Sequence, residues 1–561
     1  MDKIWLKQYP PGTPTEINPD EYASVKALIE QGCSEFAARS AYLQMDHSLS
    51  YAELDRLSRR FGAWLQQQGM RKGDRIAIML PNIMQYPVAM FGALRAGLAV
   101  VNTNPLYTAT ELEHQLRDSG ATALVVLENF ASVAQQVLPS TAVRHVIVTG
   151  VGDLLPFPKG ALVNFVLRHV QRKVPAWRIP GALKFRAVLD RAPDALEPVD
   201  VGHGDIAYLQ YTGGTTGVAK AAMLTHGNMV ANILQARAWF KQVAIDNTTY
   251  VCALPLYHIF SLTANCLLFT SLGGNGHLIA NPRDFRRFVK ELRAHRPMFF
   301  MGVNTLFNAL MNTPGFEQID FSRLVATVGG GMAVQRAVAE RWQKMTGCVL
   351  TQGWGLTEAS PAGCVNPLVG VAFTGSIGLP LPSTDVTIRD DDGAELGINE
   401  VGEICLRGPQ VMRGYWNRPD ETAKVMLPDG WLRTGDIGRM DERGYVYIED
   451  RKKDIINVSG FKVFPNEVED VVATLPGVAE VAAVAEPDDR AGEVVALFIV
   501  KKDPSLTAEA VMAHCHQHLT GYKLPRHIYF RDSLPKTNVG KILRKELRNE
   551  LAGGKPDAAG S

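Results

Sequence analysis

The sequence lacks the marks of several protein classes. Its seven cysteines are scattered without a CxxC pair, so neither a disulfide framework nor a zinc module is expected, and a reducing compartment fits best. The net charge is only +1, whereas broad nucleic-acid binding requires a basic surface. The N-terminus has no apolar core of a secretory signal, and no apolar run reaches the roughly 18 residues needed to span a bilayer. We therefore expect a cytoplasmic protein that does not bind nucleic acid.

The chain is long enough for more than one domain. With 561 residues it exceeds the usual size of a single hydrophobic core. Its first part alternates predicted helices and strands, which is typical of a parallel sheet covered by helices on both faces. The predicted segments are a helix at 20–46, a helix ending near Gly69, a strand at 74–80, a helix at 84–97, a strand at 99–101, a helix at 109–119 and a strand at 123–127.

Beyond residue 385 the pattern changes to short alternating strands separated by polar turns. The charged segment DRKKD lies between two predicted strands, and we expect a domain boundary there. The remainder of the chain predicts a small α+β module. Its predicted elements are helices at 465–475 and 507–519 and strands at 479–485, 494–501 and 527–530. The predicted fold class is α/β, with stacked βα-type sheets and a β-rich part followed by this small domain.

The segment LQYTGGTTGVAKAA carries the strongest chemical signal. Three glycines let backbone N–H groups approach an anion, while threonine hydroxyls and a lysine add donors and positive charge. These groups suit a polyphosphate, although a Walker A loop would place its lysine directly after the last glycine. A flexible surface loop is the alternative. The candidate phosphate-binding residues are Thr212, Gly213, Gly214, Thr215, Thr216, Gly217 and Lys220.

Other segments are weaker candidates. In QGWGLTE, an aromatic ring lies between glycines, and Thr357 and Glu358 offer oxygens to a hard cation such as Mg²⁺. His258 lies among apolar residues, where a histidine is more often structural than part of a site. His514 and His518 share a predicted helix face, but no further metal ligand accompanies them in the sequence. For this pair we expect an exposed polar face rather than a metal site.

A basic segment suggests a membrane contact. Between Leu154 and Leu189 the sequence has seven cations and no acidic residue, and apolar residues recur at every fourth position from Leu162 to Val174. A basic amphipathic helix with aromatic residues is attracted to an anionic bilayer surface. The alternative is a buried helix whose cations form its solvated side. We predict peripheral membrane contact through residues 159–186 and leave the alternative open.

Five motifs together resemble those of the acyl-adenylate-forming enzymes. They are YTGGTTGVAK (211–220), QGWGLTE (352–358), RTGD (433–436), DRKKD (450–454) and PKTNVGK (535–541). The segment at 429–453 is similar to the signature of bacterial long-chain fatty acyl-CoA synthetases, and the resemblance covers nearly the whole chain. It implies that a medium-to-long-chain fatty carboxylate attacks the α-phosphate of ATP, giving acyl-AMP and pyrophosphate. The thiol of coenzyme A then displaces AMP.

The resemblance also implies roles for single residues. A phosphate cradle is implied at 212–217 with Lys220. The other implied roles are charge stabilisation by Lys541, phosphate contact by Thr357, Mg²⁺ binding by Glu358, an acyl-pocket position for His258, adenine contacts by Gly330, Gly331 and Trp354, ribose contacts by Asp436 and Arg451, and a hinge at Lys453. The implied domains are an adenylation domain at 1–449, a hinge at 450–453 and a mobile lid domain at 454–561.

The sequence departs from the family pattern at some positions and leaves rival functions open. Leu262 stands where some relatives have a tryptophan gate, so the preferred acyl length is undecided. One rival is a fatty acyl-AMP ligase that delivers to a carrier protein. Another is a non-catalytic lipid-binding relative, which the retained Lys220, Glu358, Asp436 and Lys541 argue against. We also leave open a homodimer and a location at the cytoplasmic face of the inner membrane.

Overall fold

Two large sheets form most of the N-terminal part. The computed structural model describes residues 3–193, 195–212, 219–243, 248–488, 490–537 and 540–553. The first sheet has seven strands, all parallel to their neighbours except in a closing antiparallel hairpin. In spatial order its strands are Leu183–Lys184, His145–Thr149, Ala123–Leu127, Arg75–Met79, Ala99–Asn102, Ile206–Thr212 and Lys220–Thr225.

The second sheet has nine strands, of which the central six are parallel. Antiparallel strands close it at both edges. In spatial order its strands are Leu379–Pro380, Ala362–Val365, Leu350–Gly355, Ala326–Gly329, Phe299–Gly302, Thr249–Cys252, Asn275–Leu278, Ser40–Gln44 and His47–Ser50. The α/β architecture expected from the alternating pattern is confirmed.

Helices cover these sheets, and polar side chains fix where several of them begin. Ser50, Thr108 and Thr225 each cap the N-terminus of a helix through a reciprocal capping box. The helix Gln85–Arg95 is buried along its whole length. The other α-helices are Val25–Glu35, Tyr51–Gln67, Ala109–Ser119, Ala131–Val137, Lys159–Phe165, Phe185–Arg191, His226–Phe240, Ile259–Ser261, Leu268–Thr270, Phe285–His295, Asn304–Met311, Arg336–Thr346, Pro419–Val425, Pro465–Ala473, Ala508–His518 and Arg544–Gly553.

The predicted helix at 20–46 is wrong in its second half. The helix ends at Glu35, and a two-residue hairpin follows between the strands Ser40–Gln44 and His47–Ser50. Met45 and Asp46 both have positive φ, 49° and 58°, as a type I′ turn requires. The first strand of the hairpin also pairs with Asn275–Leu278. This partner is far away in the sequence, so local periodicity could not reveal it.

Two smaller sheets complete the chain. An antiparallel sheet contains Asp385–Arg389, Gly402–Arg407, Leu432–Met440 and Val446–Arg451, as the short alternating segments predicted. The C-terminal part holds a sheet of five strands with helices against it, which confirms the α+β module. Its strands are Ile456–Val458, Phe461–Val463, Val478–Asp488, Gly492–Lys501 and Pro525–Arg531. None of the helices in the described ranges is both long and apolar enough to cross a bilayer.

Candidate active site

A cleft of about 1360 Å³ lies where the large sheets, the antiparallel sheet and the C-terminal part meet. Several of the strands that reach it do so with their carboxyl ends, the position at which open α/β sheets bind ligands. Thr212 ends one strand, and Gly330 directly follows another. Of the candidate residues listed above, the cleft is lined by Thr212, Lys220, His258, Gly330, Gly331, Trp354, Thr357, Glu358, Asp436, Arg451, Lys453 and Lys541.

The candidate phosphate cradle lies at the end of an antiparallel hairpin. Thr212 and Lys220 are cross-strand partners that frame it, while Gly213, Gly214, Thr215, Thr216 and Gly217 lie outside the described residues. The Lys220 Nζ donates to Glu421 Oε2 at 2.6 Å. Hydrogen bonds from Lys220 and Lys424 lower the pKa of Glu421 to about 2, so this carboxylate is charged at neutral pH. Lys220 is therefore held beside a compensating negative charge.

Tyr415 connects the two sides of this region. Its hydroxyl donates to Glu358 Oε1 at 2.7 Å. Its ring centroid lies 4.7 Å from Lys220 Nζ, within cation–π range. Burial, with the nearby Glu358 charge, raises the pKa of Tyr415 well above its ordinary value, so the hydroxyl stays protonated and acts as a donor. Neither Tyr415 nor Glu421 was among the residues predicted from sequence, since no local pattern marks them.

A buried carboxylate organises another wall of the cleft. Asp436 has no exposed surface. Its Oδ2 accepts a hydrogen bond from Trp354 Nε1 at 2.8 Å, and its Oδ1 lies 2.7 Å from Arg451 Nε. Arg451 is also the cross-strand partner of Asp436 in the antiparallel sheet. The predicted adenine and ribose residues are thus joined in one polar network, which fixes the orientation of the indole.

The two glycines of this wall have steric reasons to be glycine. A methyl group at Gly330 would lie 3.1 Å from the carbonyl oxygen of Gly353 and 3.2 Å from the ring of Phe260. Gly331 has a φ of +75°, which side chains rarely adopt. Its position lies close to the side chain of Lys541, because a methyl group there would be 3.6 Å from Lys541 Cε.

Lys541 reaches this wall from a loop of the C-terminal part. Within the loop, Thr537 N donates to the Lys541 carbonyl at 2.7 Å, and Lys541 N donates to Thr537 Oγ1 at 3.1 Å. Across to the N-terminal part, Thr305 Oγ1 donates to the Gly540 carbonyl at 3.1 Å. The structure therefore brings Lys541 into the cleft that Thr212 and Lys220 also line.

Burial shifts the titration of two side chains in the cleft. It lowers the pKa of Lys541 to about 8, and the positive charge of Arg451 acts in the same direction. Burial, together with the charge of Lys541, lowers the pKa of His258 to about 3. His258 is thus neutral near pH 7. Its Nδ1 accepts a hydrogen bond from Phe260 N at 3.3 Å, so the proton of the neutral ring resides on Nε2.

The segment around Lys453 is tied to the C-terminal helix by arginines. Arg544 Nη1 lies 3.2 Å from Asp450 Oδ1, and Arg548 Nη1 lies 2.7 Å from Asp454 Oδ1. Burial raises the pKa of Asp450 and lowers the pKa of Lys453 to about 8. The predicted hinge thus lies between two carboxylates whose partners belong to the helix Arg544–Gly553. Its role as a hinge remains a prediction.

Family models match both the N-terminal and the C-terminal part of the chain. Residues 29–416 match the AMP-binding enzyme family, and residues 467–541 match the AMP-binding enzyme C-terminal domain. The chain belongs to the AMP-binding enzyme family. The C-terminal match includes Lys541, and the N-terminal match includes the candidate cradle and Glu358, so both parts of the cleft belong to regions that the family shares.

This AMP-binding enzyme is similar to curated proteins over its whole length. It is 54% identical over 557 residues to a long-chain-fatty-acid–CoA ligase of Escherichia coli O157:H7, with 99% of each chain covered. It is 50% identical to a protein of the same name from Haemophilus influenzae strain Rd, covering 99% of this chain and all of that one. Among solved structures, it resembles ATP-bound MatB from Rhodopseudomonas palustris with a TM-score of 0.81 and 26% identity, covering 94% of this chain and 98% of that one.

Proposed function

We propose that this AMP-binding enzyme joins a medium-to-long-chain fatty acid to coenzyme A in two steps that consume ATP. A carboxylate oxygen attacks the α-phosphorus, the bond to pyrophosphate breaks, and acyl-AMP forms. The sulfur of coenzyme A then attacks the acyl carbon, and AMP leaves as the thiol proton is lost. The full-length similarity to long-chain-fatty-acid–CoA ligases supports the substrate class. The observation that carries the mechanism is the presence of Lys220 and Lys541 in one cleft.

In this proposal the nucleotide spans the cleft. The loop at 212–217 with Lys220 holds the β- and γ-phosphates through N–H groups, hydroxyls and an ammonium group. Gly330 and Gly331 leave room for the adenine, and Trp354 stacks on it. Asp436 accepts hydrogen bonds from the ribose hydroxyls, with Arg451 beside it. The bond from Trp354 Nε1 to Asp436 supports this assignment, because it would position the adenine and ribose contacts together.

Mg²⁺ would be held by Glu358 together with phosphate oxygens. Magnesium prefers one or two carboxylates, substrate phosphates and water, and Glu358 lines the cleft with its Oε1 oriented by Tyr415. When bound, the ion would offset the negative charge of the triphosphate. Thr357, adjacent to Glu358, would donate its hydroxyl to a phosphate oxygen.

Lys541 stabilises the charge that develops on the α-phosphate and the bridging oxygen during adenylation. A positioned cation in a water-poor cleft is most effective at such a point. Its lowered pKa of about 8 reflects the cost of burying its charge before the substrate is present. His258, neutral at pH 7, lines the acyl pocket near the carboxylate and presents an uncharged ring to the apolar chain.

The second step requires a different arrangement of the same groups. We propose that residues 454–561 form a mobile lid that rotates about Lys453, within a hinge at 450–453, after adenylation in the domain at 1–449. Rotation would withdraw Lys541 and present another face of the lid to coenzyme A. The hydrogen bond from Thr305 to Gly540 would break in this movement.

The test is release of AMP from ATP with fatty acids from C6 to C18, with and without coenzyme A. We expect AMP release to require both a fatty acid of medium or long chain and coenzyme A, with acyl-CoA as product. AMP release driven by a carrier protein but not by coenzyme A would instead indicate an acyl-AMP ligase. Absence of pyrophosphate release with every acid would contradict adenylation itself.

The basic segment supports peripheral contact with an anionic membrane. Four large apolar side chains are exposed there, namely Phe157, Leu162, Phe165 and Val170, with exposed fractions of 56% to 87%. The segment forms the helix Lys159–Phe165, which continues as one π-helical turn. The buried-helix alternative does not fit this exposure. Arg168 pairs with Glu128, so it is less available to lipid phosphates than its exposed neighbours.

The membrane contact is tested by sedimentation with anionic vesicles. The double substitution Leu162→Ser and Phe165→Ser should weaken binding several-fold, because two exposed apolar groups no longer enter the interface. Neutralising Arg168, Arg172 and Lys173 should weaken it as well. Val401→Ser is the matched control, since Val401 is also exposed but lies elsewhere. Equal sedimentation of all variants would exclude contact through residues 159–186.

A further inference from the structure

A cluster of histidine and carboxylate side chains lies apart from the cleft. His277 Nε2 lies 3.1 Å from Glu291 Oε2, and His295 Nε2 lies 3.7 Å from the same oxygen. Asp46 Oδ1 is 3.5 Å from His295 Nε2. Within the described ranges, His277, Glu291 and His295 are the one group of three or more potential ligands with atoms within 4.8 Å of one another. None of the four residues lines the cleft.

Three elements of the fold bring these side chains together. Glu291 and His295 are four residues apart on the helix Phe285–His295, so they share one face. His277 belongs to the strand Asn275–Leu278, which pairs directly with the strand Ser40–Gln44. Asp46 follows that second strand, in the hairpin turn with positive φ. The turn that replaced the predicted helix thus supplies the fourth group.

The cluster contains buried polar atoms without a hydrogen-bond partner. These are Nδ1 of His277 and Nε2 of His295. His277 is only 5% exposed, so water does not readily supply a hydrogen-bond partner for its Nδ1. His277 faces the Glu291 carboxylate with its other nitrogen, Nε2. His295 Nε2 is the unpartnered atom that faces the Glu291 and Asp46 oxygens, and a metal ion bound there would satisfy it. The aromatic rings are also close, with centroids 4.3 Å apart in an edge-to-face arrangement.

We propose that His277, Glu291 and His295 bind a divalent transition-metal ion of the zinc class, and that the exposed Asp46 side chain moves in to complete the site. Zinc takes imidazole nitrogens and carboxylate oxygens at about 2.0–2.2 Å in a tetrahedron, whose ligand atoms are then about 3.3–3.6 Å apart. The Glu291 Oε2 atom lies 3.1 Å from His277 Nε2 and 3.7 Å from His295 Nε2, close to that value, and the ligand atoms of these three residues all lie within 4.8 Å of one another. Two imidazoles disfavour Mg²⁺ and Ca²⁺, which prefer oxygen ligands.

The site is structural rather than catalytic. Once Asp46 has moved in as the fourth ligand, a tetrahedral zinc ion would have no open position for a substrate. The ion would tie the exposed hairpin turn, whose Asp46 side chain is 75% exposed, to the end of the helix Phe285–His295. Binding of a metal to the native state should stabilise the chain against unfolding.

The experiment is a zinc titration of the full chain after treatment with a chelator, in a buffer with excess Mg²⁺. Calorimetry or equilibrium dialysis gives the stoichiometry and affinity. We expect a zinc site that Mg²⁺ does not displace and that raises the melting temperature. His295→Ala and Glu291→Gln should each weaken that site by at least tenfold. Asp46→Asn, at an exposed position, should weaken it by a smaller factor.

A second pair of histidines provides the matched control. His514 and His518 also lie four residues apart on a helix, with ring centroids 4.7 Å apart. His514 Nε2 is already 3.0 Å from both Thr474 Oγ1 and the Val471 carbonyl. The double variant His514→Ala and His518→Ala should therefore bind zinc like the wild type.

Cobalt gives a readout that does not depend on folding stability. Co²⁺ in a tetrahedral site should produce intense visible absorption, and Glu291→Gln should remove or shift it. The proposal is overturned if the wild type binds no zinc, or if His295→Ala and Glu291→Gln keep wild-type zinc affinity and cobalt spectra. Far-ultraviolet circular dichroism of the metal-free variants ensures that the comparison is made between folded chains.

Discussion

Lys220 and Lys541 line the same cleft, but the regions that carry them hold their charges differently. Lys220 begins a strand, donates to the Glu421 carboxylate and lies over the ring of Tyr415. Lys541 belongs to a loop, and no carboxylate of the described residues lies within ion-pair distance of it. Burial instead lowers its pKa to about 8.

In the proposed mechanism this difference separates a binding role for Lys220 from a catalytic role for Lys541. A lysine that is already paired with a carboxylate gains less electrostatic stabilisation when a phosphate binds. Such a lysine suits a preformed binding site. An ammonium group without a directly paired carboxylate gains more electrostatic stabilisation when negative charge develops beside it. Lys541 is also held through contacts between two parts of the chain, such as the bond from Thr305 to Gly540, which can be broken as a unit.

The largest expected effect is that of Lys541→Ala. Loss of a cation worth about 3–4 kcal/mol in the transition state should slow adenylation by a few hundredfold. Exchange of labelled pyrophosphate into ATP measures this step. Thioester formation from added acyl-AMP should change little, since the proposed rotation withdraws Lys541 in that step. Lys502→Ala, at an exposed position, is the control; adenylation at the wild-type rate in the Lys541 variant would refute the assignment.

Lys220→Ala should have a smaller effect, because Glu421 already offsets part of the Lys220 charge. We expect a loss of about 2 kcal/mol, or roughly thirtyfold, in kcat/KM for ATP. Steady-state kinetics with varied ATP provides the value. Glu421→Gln should raise kcat/KM for ATP, because it removes the carboxylate charge that offsets Lys220. If Lys220→Ala slowed adenylation more than Lys541→Ala, the division of roles between the lysines would be reversed.

The lowered pKa of Lys541 predicts an alkaline limit on adenylation. Its pKa lies below the ordinary value of 10.5, so the positive charge is lost as pH rises through about 8. At pH 9, kcat/KM should therefore be about tenfold below its plateau. The Lys541→Arg variant keeps its positive charge over this pH range, so its kcat/KM should not fall above pH 8, even if its plateau value is lower. If kcat/KM of the arginine variant still falls above pH 8, the titration belongs to another group, such as Lys453.

Tyr415→Phe should have the smallest effect of the four. The substitution removes the hydroxyl that donates to Glu358 but keeps the ring beside Lys220. Loss of this hydrogen bond should cost about 1 kcal/mol, or roughly fivefold, in kcat/KM at limiting Mg²⁺. Steady-state kinetics at varied Mg²⁺ concentration measures this decrease in kcat/KM. Tyr415→Leu also removes the ring and should cost more; equal effects would mean that the ring contributes nothing.

Much of the fold was predictable because its signals are local. Alternating helices and strands indicated the parallel sheets, and the short alternating segments beyond residue 385 indicated the antiparallel sheet. The hairpin at Met45 and Asp46 was missed because its first strand depends on pairing with Asn275–Leu278, which has no local signature. The extra strands Ile456–Val458 and Phe461–Val463 are too short for periodicity to detect.

The candidate site was predictable where residues lie in distinctive motifs, or where the family resemblance implied a position for them, as it did for His258, Gly330 and Gly331. Trp354, Asp436 and Lys541 belong to such motifs, and the structure brings them to one cleft. Tyr415 and Glu421 carry no motif, and their importance appears only in their contacts with Glu358 and Lys220. The groups around His277 are likewise scattered along the sequence, so only the fold reveals their proximity.

Labelling with an acyl-phosphate derivative of ATP tests the central claim most directly. Such a reagent transfers its acyl group to lysine amines beside the bound phosphates, and peptide mass spectrometry identifies them. We predict that both Lys220 and Lys541 are labelled, and that excess ATP protects both. Labelling of Lys220 without Lys541, in the presence of Mg²⁺ and with no fatty acid, would contradict the convergence of the two regions on one nucleotide.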